Sequence, residues 1–178
     1  MPVRQANRFP CGQDTQAYRR NFFPDVPSRL WNDWQWQVRE RIRSLADLER
    51  VFHLSPDERE AVIRHRGSLP LGITPYYASR MSLANAANGL RRTHIPVMGE
   101  YLHAPGEAAD PLGEDHDAAV PGLVHRYPDR VLFLVTGFCS TYCRYCTRSR
   151  AVGESGGEYK FRPREWEAAF SYLEEHTE

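Results

Sequence analysis

Lysine is almost missing from this chain: of 23 basic residues in 178, one is Lys160 and the others are arginines. Chemistry that needs an amine nucleophile therefore has a single candidate here. Cysteine is also sparse, with four in all; Cys11 stands far from the other three, a distribution that provides no paired disulfide framework and points to a reducing, cytoplasmic setting. No apolar run approaches the ~18 residues that a membrane span requires. The opening MPVRQANRFP lacks the apolar core of a secretory signal, so a chain with no membrane partner is expected. Formal net charge is zero, with 23 basic residues against 23 acidic ones, which removes the electrostatic argument for nucleic acid and favours small substrates or cofactors.

What is present falls into two regimes. Leu30, Trp31, Trp34, Val38 and Ile42 recur at helical spacing in SRLWNDWQWQVRERI and predict one amphipathic helix that buries tryptophans. Two shorter helices follow, each with a capping-box start: Ser44 with Asp47, and Ser55 with Pro56 and Glu58, the second ending near Gly67. Thr74 before Pro75 can open another, after which a Pro-, Gly- and acid-rich stretch reads as a long ordered connection. The second regime starts at Arg130, where VLFLVTG predicts a strand buried on both faces. A cysteine loop follows, then a helix that opens at Pro163 with Trp166, Ala169, Phe170 and Leu173 on one face. The expected fold is α/β. A helical region and connection span residues 1–121, and residues 122–178 hold the first βα unit of a parallel array, with ligands at the carboxyl end of its strand. One such unit cannot cover its own strand edges, so it is expected to be part of a larger whole or to complete another chain.

Chemistry concentrates in GFCSTYCRYCTRSR, where Cys139, Cys143 and Cys146 follow a C-x3-C-x2-C pattern. Thiolates this close can serve one metal centre. A structural zinc site wants four closed ligands, commonly as two separated pairs, and no fourth is evident. A redox pair from Cys143 and Cys146 would leave Cys139 idle. A 4Fe-4S cluster held by three cysteines leaves its fourth iron open to a non-protein ligand, which gives the missing thiol a purpose.

The triplet, with Tyr145 just before its last cysteine, resembles the signature of the radical S-adenosylmethionine (SAM) enzymes. More narrowly, WNDWQWQVRERI, ITPYY, DPLGEDHD and VPGLVHRYPDRVLFLVTGFCSTYCRYCTRSR are together similar, in order and spacing, to the amino-terminal portion of the lysine 2,3-aminomutase family. The chain resembles the free-amino-acid enzymes more than the shorter relatives that act on elongation factor P. The resemblance implies a truncated radical SAM partial (β/α) barrel, and an isomerase that moves an α-amino group to the β carbon. It implies three cofactors: the 4Fe-4S cluster on Cys139, Cys143 and Cys146, S-adenosyl-L-methionine with its adenine near Tyr145, and pyridoxal 5'-phosphate. In that superfamily the cluster cleaves SAM reductively to a 5'-deoxyadenosyl radical.

By the same resemblance Arg126, Tyr127 and Arg130 hold the pyridoxal phosphate group, as paired guanidinium hydrogen bonds suit phosphate. Arg148, two positions beyond Cys146, receives the substrate α-carboxylate. From the residues alone, HRYPDR is equally a turn with surface arginines. Arg144 and Arg150 read as support for the loop or tuning of the cluster, Trp31, Trp34 and Trp36 as core or subunit interface, and His116 as a solvated histidine among acids. The Schiff-base lysine of the family belongs downstream of the cysteine loop, whereas Lys160 lies in a polar, Gly-flanked stretch and reads as a surface residue. These 178 residues are therefore expected to carry no Schiff-base lysine and to be inactive by themselves. The whole enzyme is expected to take L-lysine, with glutamate as the alternative, to draw on an external electron donor, and to form a homo-oligomer. A non-catalytic iron–sulfur or zinc-binding module is the competing reading.

Overall fold

The computed structural model describes residues 12–65, 69–152 and 163–177. Cys11, Gly67 and Lys160 lie outside them, and so do the expectations attached to those three residues.

Seven helical segments come first: α1 Gln13–Phe22, α2 Ser28–Trp31, α3 Trp34–Arg39, α4 Leu45–Val51, α5 Pro56–Arg64, α6 Pro75–Ala78 and α7 Gly89–Arg92. Both expected capping boxes form. Ser44 and Asp47 close one at the start of α4, and Ser55 and Glu58 close another at α5. Thr74 caps the single turn of α6 by accepting from Tyr77 N. The one long tryptophan helix does not form. Asp33 Oδ1 accepts from Gln35 N at 2.7 Å and Trp36 N at 3.3 Å, which restarts the helix as α3. A short acidic side chain that competes for backbone donors breaks a helix in this way. The restart changes the facing residues: Trp31 and Trp36 are buried, and Trp34 is 66% exposed.

Those two indoles, with Tyr18 and Phe23, make the aromatic part of the core, Trp31 and Trp36 lying 5.7 Å apart between ring centroids. Leu48, Val51, Phe52, Ile73, Met81 and Ile95 continue it. Ile42 leaves the helical run to form an isolated antiparallel bridge with Ile73. Through the middle runs a buried ion pair. Arg91 donates from Nε to Glu58 Oε1 at 2.8 Å and from Nη2 to Glu58 Oε2 at 2.7 Å, and its remaining donors reach the carbonyls of His53, Ser82 and Leu83.

The second regime is a three-stranded antiparallel meander of β1 Ala118–Val120, β2 Leu123–Tyr127 and β3 Arg130–Phe133. Gly122, at φ +81°, makes the tight link between β1 and β2. The chain is α/β as expected, but the described strands pair antiparallel. Parallel pairing needs a second strand brought back by a crossover, whereas hairpin partners are neighbours in sequence. The expected division at residue 121 falls between β1 and β2, which share this sheet. β3 is an edge strand of four residues, and Val135 beyond it is 51% exposed, so VLFLVTG is not buried on both faces. Helix α8, Pro163–Glu175, opens at the expected proline and buries Ala169, with Trp166 and Phe170 set edge-on to Phe133.

Candidate functional site

Beyond β3 the backbone turns away from the sheet and docks on the helical half. Leu134 N donates to Gly122 O at 2.8 Å, holding the strand exit. Tyr142 N reaches Gly72 O at 3.3 Å, and Arg144 N reaches Thr93 O at 2.8 Å. The Tyr142 ring lies so close to Gly72 that a Cβ there would stand 2.5 Å from Tyr142 Cδ2. Glycine at 72 is thus a requirement of contact rather than of φ. Arg41 supplies a second anchor: its guanidinium sits over the Tyr142 ring at 5.3 Å and donates from Nη1 to Cys139 O at 2.9 Å. Arg144 supplies a third, with Nη2 at 2.6 Å from Glu100 Oε2 and Nη1 at 3.2 Å from Leu69 O. The expected supporting role of Arg144 thereby acquires partners.

Cys139, Cys143 and Cys146 are free thiols, each half-buried in this pinned loop. Cys139 Sγ donates to Thr141 O at 2.8 Å and Cys143 Sγ addresses the same carbonyl at 4.0 Å. Turns at Cys146 N to Cys143 O and Ser149 N to Cys146 O carry the chain onward. Among the described residues no three His, Cys, Asp or Glu side chains are gathered closely enough to hold a single metal ion. A zinc ion would draw its sulfurs to about 2.3 Å from one point. A 4Fe-4S cluster instead takes each thiolate on a different iron. Three thiols in one anchored loop fit it as a donor set. Tyr145 is 69% exposed beside them, and its electrostatic interaction with the neighbouring Cys143 sulfur, with a hydrogen bond to it, pushes the tyrosine hydroxyl above its ordinary range.

The arginines fall into two groups. Arg148 shares the cysteine loop, while Arg126, Tyr127 and Arg130 lie at the β2–β3 turn, where Tyr127 pairs with Arg130 in register. That turn begins β3 and the cysteine loop follows its end, so the strand separates them. None of these guanidinium groups is without a carboxylate. Arg130 Nη2 pairs with neighbouring Asp129 at 2.9 Å, and the group lies over the Tyr127 ring at 5.4 Å. Arg126 Nε lies 2.6 Å from Asp117 Oδ2, a hydrogen bond that raises the arginine's already high pKa, and Arg126 also donates to Leu112 O. Arg148 Nη2 lies 2.6 Å from Glu114 Oε1.

Sequence reasoning missed those acidic partners. Within DPLGEDHD it weighed only His116, which is in the open with its side chain 92% exposed. Glu114 is instead the buried member, at 7%. The available signal was charge order: an acidic run ahead of an arginine run, of opposite sign.

No family model matches the chain. It is 48% identical over 155 residues to an L-lysine 2,3-aminomutase of Bacillus subtilis, covering 86% of this chain and 32% of that protein. An L-lysine 2,3-aminomutase of Fusobacterium nucleatum subsp. nucleatum is 47% identical over 142 residues, 80% of this chain and 33% of its own length. A glutamate 2,3-aminomutase of Clostridioides difficile is more distant, 32% identical over 124 residues that cover 70% of this chain and 29% of that protein. The chain thus spans about a third of the length of the curated relatives it matches.

Proposed function

The chain belongs to the lysine 2,3-aminomutase family, and from that premise we propose that it supplies the cluster-bearing part of a radical SAM amino-acid 2,3-aminomutase, an isomerase that converts L-lysine to β-lysine. The observation that carries this reading is the cysteine loop: three half-buried thiols with no apparent fourth ligand in the motif, fixed to the helical body by Arg41, Tyr142 and Arg144. Cys139, Cys143 and Cys146 would hold a 4Fe-4S cluster, which with S-adenosylmethionine bound supplies one-electron radical chemistry. Tyr145, exposed beside the thiols, would flank the adenine ring. Arg148 binds and orients a substrate carboxylate. Arg126, Tyr127 and Arg130 form a phosphate cradle for pyridoxal 5'-phosphate, one strand length from the cluster loop. Such an enzyme works in the cytoplasm with an external electron donor and assembles as a homo-oligomer. Lysine is favoured over glutamate because two relatives named for lysine are 47% and 48% identical, against 32% for the relative named for glutamate.

Anaerobic reconstitution with iron and sulfide tests the reading directly. About one 4Fe-4S cluster per chain is expected. Cys139→Ala, Cys143→Ala and Cys146→Ala should each abolish it, while Cys11→Ala should leave it intact; circular dichroism controls for folding. Stoichiometric zinc retained in place of iron would overturn the proposal.

A further inference from the structure

Arg148 is held by a carboxylate of its own chain, and the geometry says which part of the guanidinium that carboxylate takes. Glu114 accepts from Nε at 3.0 and 3.1 Å and from Nη2 at 2.6 Å, the inner edge of the group. Among the described residues nothing takes Nη1. Glu114 is 7% exposed, whereas the Arg148 side chain is 38% exposed, so the arginine is gripped from the buried side and open on the other. The glutamate is itself braced. Its Oε2 is 3.8 Å from Arg150 Nη2, which lies 2.8 Å from Asp110 Oδ1. Arg150 Nη1 pairs with Asp115 Oδ1 at 3.0 Å, and Asp110 Oδ2 accepts from Asp115 N at 2.8 Å, closing the acidic turn on itself.

We infer that Glu114 is a positioning residue: it fixes the Arg148 guanidinium by its Nε edge so that the outward Nη edge presents a preset fork to the α-carboxylate of an amino-acid substrate. This rests on the functional reading above. A guanidinium offers five donors in a rigid plane and can serve two carboxylates at once, one on each edge. A long arginine side chain left free would lose several rotatable bonds on binding, and preorganisation removes that cost. The same acidic segment reaches Arg126 through Asp117 at 2.6 Å, so one loop braces arginines assigned to two different anionic groups. Arg150, through Asp110 and Asp115, holds the acidic turn in place.

The test uses Glu114→Gln and Glu114→Asp in the protein expressed from its complete gene. With cluster content unchanged, Glu114→Gln should raise KM for L-lysine by about 10- to 100-fold, the scale of a misplaced binding group, with a smaller effect on kcat. Glu114→Asp, which keeps the charge, should recover part of the loss. Independently of turnover, the Arg148 Nε–H proton should exchange slowly in the 15N NMR spectrum of the 178-residue chain and lose that protection in Glu114→Gln, with the backbone amide spectrum otherwise preserved. An active enzyme whose Glu114→Gln variant keeps its KM, or an unprotected Nε–H in the wild type, overturns the positioning role alone. A wild type that carries its cluster yet turns over no amino acid overturns the functional reading and the substrate role of Glu114 with it.

Discussion

Arg148 shows what a single side chain decides. Lysine at that position would keep the charge but not the plane, and here the plane is used by Glu114 on one edge. Arg148→Lys should leave iron content and the ultraviolet-visible spectrum of the reconstituted cluster unchanged while damaging turnover. Loss of a paired contact to a partly buried carboxylate costs on the order of 2 to 5 kcal/mol. The loss should therefore be read in kcat/KM for L-lysine; a variant with near-normal kinetics and a full cluster would return Arg148 to a loop arginine paired with Glu114. Burial at residue scale is equally selective. Arg91, with no exposed surface, is as much a core residue as Phe52, whose ring lies 5.2 Å from its guanidinium, because every donor it carries is met.

Among the elements, the cysteine loop is ordered by what it lies on. It has no regular structure between β3 and the short 3-10 turn at Ser149–Ala151, and its conformation comes from contacts with residues far away in sequence: Arg41, Gly72, Thr93 and Glu100. Gly72→Ala puts a methyl into the Tyr142 ring, which must shift or push the loop outward. Overpacking of this kind costs about 1 to 3 kcal/mol. The expected outcome is a chain that still folds, by circular dichroism, yet loads less iron per chain than the wild type on anaerobic reconstitution. Full loading at the wild-type rate would show that this docking does not shape the thiol loop. The break between α2 and α3 is also decided at this scale, since Asp33 is a stronger local signal than the hydrophobic period that runs across it.

For the whole molecule, two buried titratable groups set the acid side of stability. Glu58 is raised by its burial, but the hydrogen bonds from Arg91 and from Ser55 outweigh that and leave its pKa below the ordinary glutamate value. Its contribution is complete above about pH 4.3, the unfolded value, and is lost as pH falls through the depressed folded one. His94 is also depressed, first by burial and then by the charge of Arg144, against a raising hydrogen bond with Leu90 O. The unfolded chain takes up a proton at this histidine near pH 6.5, before the folded chain does, so stability declines from there downward. Urea denaturation at a series of pH values should show a first decline beginning near pH 6.5 and a second below about pH 4.3. Glu58→Gln should cost about 3 to 5 kcal/mol at pH 7 by leaving Arg91 without its charge partner, and should shrink the second step, to which Asp47, its pKa also lowered in the fold by hydrogen bonds from Ser44 and Arg43, still contributes. A pH profile unchanged by Glu58→Gln would show that the pair is not what fails in acid. No described helix is long and apolar enough to cross a membrane.

By itself the sequence determined what depends on neighbours along the chain. The capping boxes of α4 and α5, the proline start of α8 and the triplet spacing of the cysteines all involve residues at most seven positions apart, where backbone geometry leaves few choices. The family was legible for the same reason, because its motifs are short and contiguous. Only the tertiary structure decided which tryptophans face inward, that β3 is an edge strand of an antiparallel meander, and which carboxylate holds which arginine. Glu114 and Arg148 are separated by 34 residues, Glu100 and Arg144 by 44, and Arg41 and Cys139 by 98. Charge attracts without direction, so a chain with equal numbers of acids and bases permits many pairings. The packing of the loop on the helical half, with Gly72 under Tyr142, leaves only these.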